Sequence, residues 1–388
     1  MEKNGKRIGE VEFPLGGGIV YKISIIIPVH NVEKYLEQCL DSIVNQTIGL
    51  QNLQVVMVDD NSSDDSLQIM NEYSKKYSNF IAISLKDGKT GAGVTRNEGL
   101  RNATGKYIMF TDSDDFYESN ACEIMYKEIE QQKTDFVTFN YRNADEDGTV
   151  WENPIFKLDI YPNMKLDIKD YDKSFYVMNS SVCNKIFNRE FLLKNNIWFF
   201  NDGKPSEDTY FSMSAFLHSV NQNGACYNQN VVYNYRQRNK TKTSLSNKLD
   251  YNFFINTNEA NKEIYRLFKK FNQIEFYRYY FAKSMSYILY RFIDAKILDD
   301  TERIKILEEM RWFYKLSIDL NIPACQESMG ILIDRIISRN YEAVLDMGKI
   351  IAEIREFVSE ENKYRMTKPL PEMYKKIGAL RLINIPEI

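Results

Sequence analysis

Gly105–Asp115 reads GKYIMFTDSDD. The apolar run Tyr107–Phe110 stops abruptly at a cluster of carboxylates, Asp112, Asp114 and Asp115. Its length and its Tyr, Ile and Phe content predict a buried parallel strand. In open α/β sheets, ligand sites lie just beyond the carboxyl ends of strands. Acids crowded there repel one another unless a cation or hydrogen-bond donors compensate. Asp112 and Asp114 occupy alternate positions, and hard oxygen ligands of that kind suit Mg²⁺ or Mn²⁺, which can also bridge a diphosphate. A solvated acidic turn uses the same residue types, so the neighbouring segments decide between the two.

Upstream, Ile23–Pro28 (ISIIIP) is a continuous β-branched run, read as the first buried strand. Tyr35–Val44 follows with helical spacing of Tyr35, Leu36, Cys39, Leu40 and Ile43. Leu53–Val58 is the second strand and runs into Asp59-Asp60-Asn61-Ser62-Ser63-Asp64, N-cap residue types for a helix over Ser66–Lys76. Phe80–Leu85 reads as a third strand, and Gly91-Ala92-Gly93 opens a helix carrying Arg96 and Leu100. Beyond the acidic cluster come a helix near Glu118–Gln132 and a strand over Asp135–Tyr141. Strands alternating with helices predict a doubly wound, mostly parallel α/β sheet over residues ~22–142. A dinucleotide fingerprint starting at Gly91 would need glycine where Arg96 stands.

Residues 143–180 read as a loop-rich, partly extended segment around Trp151. Glu207-Asp208 stands in the first turn of a further helix, where the helix dipole favours negative charge. Val231–Tyr235 reads as a strand and Arg236–Asn247 as a polar, basic loop. From about Asp250 glycine nearly vanishes, and three- and four-residue apolar spacing recurs in Tyr277–Ile293, Arg303–Leu316, Met329–Ile337 and Val344–Val358. The expected domains are an N-terminal tail over 1–20, a sheet domain over 21–248 and a helical C-terminal domain over 249–388. The aromatic stripe Phe276, Tyr279, Tyr280 and Tyr287 reads as packing. A homo-oligomer interface or peripheral membrane contact is its alternative reading.

The 50 Lys+Arg nearly balance the 54 Asp+Glu, which gives no reason to expect a nucleic-acid partner. The five cysteines, Cys39, Cys122, Cys183, Cys226 and Cys325, are scattered without a CxxC pair, as expected in a reduced, cytoplasmic compartment. With only His30 and His218, a His-rich zinc centre is excluded and Ser-His-Asp hydrolysis disfavoured. No apolar run approaches the ~20 residues that span a bilayer. Residues 1–20 show no apolar signal core, so export is not expected.

The segments SIIIPVHNVEKYLEQCLDSIVNQT, VVMVDDNSSDDS, GAGVTRNEGLRNATGKYIMFTDSDD, NKIFNREFL and SEDTYF, in this order, resemble family 2 glycosyltransferases of the GT-A fold. The resemblance covers about residues 22–245, and the Ile48-Gly49 insertion is similar to members acting on teichoic-acid-type or other bacterial surface polymers. It implies an inverting, metal-dependent transfer from a UDP-sugar to a hydroxyl of a glycan or polyol-phosphate acceptor, at the inner face of the cell membrane. Pro28, Val29 and His30 would shape the base slot, with Asn31 and Glu33 in the same loop. Asp60 would accept from the uracil ring nitrogen, Gly93 would let the backbone approach, and Arg96 would reach the base or diphosphate. Asp112 and Asp114 would form the metal-binding DxD motif with Ser113 between them, holding Mn²⁺ or Mg²⁺. Asp208 would be the general base, with Glu207 beside it. Lys185 would line the acceptor pocket or be a surface lysine, and Arg238 and Ser244 would belong to a loop over the donor phosphates.

Two other readings stand beside this one. A nucleotidyltransferase would want a glycine-rich phosphate loop after the first strand, and Val29–Lys34 contains no glycine. A non-catalytic assembly protein acting through its helical domain would not need Asp60, Asp112, Asp114 and Asp208 together.

Overall fold

A computed structural model describes residues 21–85, 91–151, 161–200, 205–238, 249–322 and 331–364. The expected tail over 1–20 and Ser244 lie outside the described residues. The chain divides into two compact units. The first comprises Met1–Lys165, Ser180–Gly203 and His218–Arg236. The second comprises Leu166–Asn179, Lys204–Leu217 and Gln237–Ile388. Two segments that precede residue 249 in sequence therefore group with the helical unit.

The first unit is built on one sheet. Its strands are β1 (Ile23–Val29), β2 (Leu53–Asp59), β3 (Phe80–Ser84), β4 (Tyr107–Phe110), β5 (Phe116–Tyr117), β6 (Phe136–Ala144), β7 (Val150–Trp151), β8 (Met164–Lys165), β9 (Lys185–Asn188) and β10 (Ala225–Arg236). Its helices are α1 (Glu33–Val44), α2 (Ser66–Lys76), α3 (Ala92–Asn102), α4 (Ala121–Gln132) and α6 (Arg189–Lys194), while α5 (Tyr171–Met178) belongs to the second unit. The sheet order is β3-β2-β1-β4-β9-β6-β10-β5, with β7 beside β6 and β8 beside β10.

The four strands β3, β2, β1 and β4 are mutually parallel. Their side chains are almost wholly buried in β1, β2 and β4, as strands covered on both faces require. The α/β class expected from the alternation is thus present. Four strands depart from the parallel run: β9 lies antiparallel between β4 and β6, and the two-residue strands β5, β7 and β8 pair antiparallel with β10, β6 and β10. β10 is longer than the expected Val231–Tyr235 and ends in Arg236, which is strand and not loop. It pairs parallel with β6 through two register shifts, between Asn228 and Tyr233.

Two glycines fix the packing beneath the acidic turn. A Cβ on Gly99 of α3 would stand 2.3 Å from Ile26 Cγ2 of β1, and a Cβ on Gly105 would stand 2.5 Å from the Ser24 amide nitrogen. Only hydrogen at those positions lets α3 and the entry to β4 lie against β1.

The second unit is helical: α5, α7 (Glu207–Ser219, whose last residues fall in the first unit), α8 (Tyr251–Lys270), α9 (Ile274–Asp294), α10 (Asp300–Asp319) and α11 (Tyr341–Tyr364), with residues 331–337 also helical. Asp250 caps α8 by accepting from the Phe253 amide at 2.9 Å, and Asp299 and Glu302 form a reciprocal capping box on α10. The core is aromatic. Phe268 stacks on Phe276 at 5.9 Å between ring centroids, Phe254 meets Phe292 edge-on, and Phe281 contacts Phe313. Within the expected stripe Phe276 and Tyr280 are buried packing residues, whereas Tyr287 is exposed. No helix among the described residues is long and apolar enough to cross a membrane.

Candidate functional site

The carboxyl ends of β1, β2 and β4 place three loops side by side in the first unit. The loop after β1 and the loop after β2 are laced together. Asn31, in the left-handed region at φ 51°, accepts from the Ser63 amide through Oδ1 at 2.7 Å. Its own amide donates to the Ser62 hydroxyl at 3.1 Å. The Glu33 amide donates to Asp64 Oδ2, and Glu33 Oε2 in return accepts from the Asp65 amide, both at 3.0 Å. Val32 donates to the Ser66 hydroxyl at 2.9 Å. Asn31 and Glu33 therefore hold one loop to the other. The hydrogen bonds to the Asp64 carboxylate outweigh its partial burial and hold its pKa below the ordinary value.

His30 Nδ1 lies 2.7 Å from the Asp60 carbonyl, which orients the exposed ring at the mouth of the slot. Pro28 and Val29 are strand residues of β1, paired with Val58 and Asp59. Asp60 is buried, and its two oxygens differ. Oδ2 accepts from the Gly91 amide at 2.7 Å, whereas Oδ1 is buried without a hydrogen-bond partner among the described residues. A bare buried carboxylate oxygen is costly unless something donates to it. Gly91 adopts φ 116° to present its amide and to cap α3, and Gly93 is buried in the first turn of that helix.

Arg96, 3% exposed, reaches from α3 to Asp112, and its Nη2 stands 2.6 Å from Asp112 Oδ1. Its guanidinium also stacks over Phe199 at 5.4 Å from the ring centroid. Asp112 is 34% exposed, so the pair opens towards solvent on the carboxylate side. Ser113 is buried between Asp112 and the half-buried Asp114. Among the described residues no group of three or more His, Cys, Asp or Glu is arranged to hold a metal ion. A donor set of two carboxylates still fits a cation of the Mg²⁺ type, which is commonly held by one or two protein carboxylates with substrate phosphates and water completing the shell.

Three residues that shape this turn carry no role in the sequence reading: Asp115 within it, named there only as one of the clustered acids, and Tyr233 and Arg236 on β10. Asp115 is fully buried and accepts from the Tyr233 hydroxyl at 2.5 Å and from the Arg236 amide at 2.7 Å. Burial, with Asp114 and Asp112 close by, holds the Asp115 carboxyl well above the usual range, against the pull of those two bonds. Arg236, expected in a polar loop, is buried, and each of its three guanidinium nitrogens donates a hydrogen bond. Only the TDSDD cluster itself offered a signal for Asp115, and nothing local marked Tyr233 or Arg236.

Lys185 is not a surface lysine. It is fully buried on β9, its ammonium donating to the Ser181 carbonyl and to Asn184 Oδ1. Glu207 and Asp208 stand in the first turn of α7, in the second unit, as does Arg238 just after β10. The first unit thus brings together His30, Asp60, Gly93, Arg96, Asp112 and Ser113 around one sheet edge.

Comparison with known proteins agrees with this geometry. Residues 24–194 match the family model described as Glycosyl transferase family 2, and these residues form such a domain. The chain is 35% identical over 196 residues to the poly(ribitol-phosphate) beta-glucosyltransferase of Bacillus spizizenii, covering 50% of this chain and 30% of that protein. It is 33% identical over 233 residues to glycosyltransferase GlyA of Streptococcus pneumoniae, covering 58% and 31%. The chain therefore spans under a third of the length of these two curated relatives. The crystal structure of S. aureus TarS 1–349 in complex with UDP superposes with a TM-score of 0.61 at 20% identity, over 90% of this chain and 94% of that one. The shared fold is GT-A, a mostly parallel sheet followed by a helical region.

Proposed function

We propose that this chain, whose residues 24–194 form a family 2 glycosyltransferase domain, transfers a sugar from a UDP-sugar to a hydroxyl of a polyol-phosphate or related cell-surface glycan, with inversion at the anomeric carbon. The observation that carries the reading is Asp60 Oδ1, a buried acceptor with no hydrogen-bond partner among the described residues, in the residue whose carbonyl meets the His30 ring. Uracil carries an N–H in its ring where cytosine carries an acceptor, so a bare carboxylate oxygen selects uridine. Similarity to a poly(ribitol-phosphate) beta-glucosyltransferase and to the poly(ribitol-phosphate) beta-N-acetylglucosaminyltransferase TarS supports a polyol-phosphate acceptor.

In this reading His30 stacks on the base and Asp60 fixes its edge. Asp112 and Asp114 would hold Mn²⁺ or Mg²⁺, which when bound would supply stabilisation of charge on the departing phosphate oxygen. Arg96, already beside Asp112, adds a fixed positive charge at the same end. Asp208 takes the proton from the acceptor hydroxyl, a contribution of about 10²–10⁴-fold for a placed general base. One displacement on the face opposite the leaving group turns an α-linked donor into a β-linked product.

The test is a thermal-shift screen of UDP and UDP-sugars with Mn²⁺, followed by UDP release with a poly(ribitol-phosphate) acceptor. Stabilisation by UDP but not CDP, and release that stops in Asp208→Asn while UDP binding persists, are the expected results. Equal loss of donor binding in Asp208→Asn and Asp114→Asn contradicts the assignment of Asp208.

A further inference from the structure

We propose that Tyr233 and Arg236, three residues apart at the carboxyl end of β10, are positioning residues that set the geometry of the Asp112–Asp114 turn for its divalent cation. The inference rests on the functional reading above and deepens it.

The turn is gripped at three points. The Tyr233 hydroxyl accepts from the Asp112 amide at 3.2 Å and donates to Asp115 Oδ2 at 2.5 Å, so one oxygen ties the start of the turn to its end. The Arg236 amide donates to the other oxygen of Asp115 at 2.7 Å. The Arg236 Nε donates to the Asp114 carbonyl, also at 2.7 Å. Asp112 and Asp114 are thereby held by their main chains, and Asp115 is spent as the internal anchor.

Arg236 is itself immobilised. Its Nη1 donates to the Glu146 carbonyl at 2.7 Å and its Nη2 to Gln38 Oε1 at 2.5 Å. The guanidinium lies between the Tyr35 and Phe116 rings, 5.0 and 5.4 Å from their centroids. All three nitrogens of the planar fork donate, a geometry that a lysine ammonium cannot reproduce. A two-carboxylate site has little redundancy, so its affinity depends on how well the two side chains are pre-placed. Hence a residue that never touches the ion controls its binding.

The test titrates Mn²⁺ into protein with UDP, following free Mn²⁺ by electron paramagnetic resonance, for the full chain and for Tyr233→Phe and Arg236→Lys. Tyr233→Phe deletes a single oxygen and keeps the ring. It is expected to weaken Mn²⁺ binding about 5- to 10-fold, because both hydrogen bonds made by that oxygen are lost. Turnover lost at low Mn²⁺ should return at saturating Mn²⁺, a rescue that a merely structural defect does not show. Arg236→Lys should weaken binding at least as much. Met125→Ala, on the buried face of α4, serves as a control that lowers the melting temperature without moving Mn²⁺ affinity. Unchanged Mn²⁺ affinity in both β10 variants overturns the inference while leaving the functional reading intact. Absence of any Mn²⁺ binding by the unsubstituted chain with UDP overturns the functional reading, and this inference with it.

Discussion

Arg96 Nη2 stands 2.6 Å from Asp112 Oδ1, the buried guanidinium on α3 meeting the half-open carboxylate at the end of β4. The pair neutralises a carboxylate that would otherwise face Asp114 and Asp115 alone. It also competes with any cation for the same oxygen.

Arg96→Ala is therefore expected to act in two opposite ways. Mn²⁺ binding without nucleotide should be unchanged or tighter, since a positive charge is removed. UDP-sugar turnover should fall by about 10²-fold or more, the usual cost of removing one donor aimed at developing charge. Parallel Mn²⁺ titration and UDP-release assays separate the two. Unaltered turnover would reduce Arg96 to a counter-ion.

Asp60→Asn should lower UDP affinity by about 5- to 150-fold, corresponding to the ~1–3 kcal/mol cost of an unpaired buried polar group. An amide has one acceptor oxygen, while the Gly91 amide already claims one oxygen of Asp60. Either that donor or the uracil N–H must then face an NH₂ group. Calorimetry with UDP and CDP should show the preference for UDP shrinking. An undiminished preference would move base recognition elsewhere.

Gly99→Ala should cost about 1–3 kcal/mol, because its methyl falls on Ile26 Cγ2 and α3 must ride outwards. Gly105→Ala should cost more, because the obstacle there is the Ser24 backbone nitrogen rather than a side chain. Denaturant melts give both values. The pair Gly99→Ala with Ile26→Ala should cost less than the sum of its parts, since the new methyl occupies vacated space.

Asp64 supplies a pH test. Its folded pKa lies below the ordinary 3.8, because hydrogen bonds from Ser66 and from the Glu33 amide outweigh the desolvation of partial burial. A depressed carboxylate stabilises the folded state above the unfolded value, and that stabilisation is lost as pH falls through the lower folded value. The melting temperature of Asp64→Asn should thus trail that of the unsubstituted chain near neutral pH. The gap should narrow as pH drops below 3.8. A gap constant with pH would mean that the charge of Asp64 is not what holds the loops.

Much of the first unit can be read from short, sharply bounded runs. Tyr107–Phe110 and Ser66–Lys76 have in the structure the same limits that apolar content and caps suggest, because turn residues flank them on both sides. Other elements leave no periodic trace. β9 is four residues long, and its antiparallel place between β4 and β6 depends on strands distant in sequence. The eight-residue helix α5 is too short to stand out from the polar stretch around it. Asp60, Arg96 and Asp112 could be picked as candidates from motif order, and the structure brings them to one edge. Arg236 could not, since its acceptors lie 90, 122 and 198 positions away in sequence. A buried arginine whose partners are all distant looks, in its own neighbourhood, like any basic loop residue.

The reciprocal lacing of residues 31–33 with 62–66 has an evolutionary and engineering consequence. Neither loop carries its own shape: each is a mould for the other. Grafting one of them from a relative with a different donor preference should give misfolded or inert hybrids, while exchanging both together should carry the preference across. Changes to this end of the molecule are then inherited as matched sets, and a library that diversifies one side alone searches mostly barren ground.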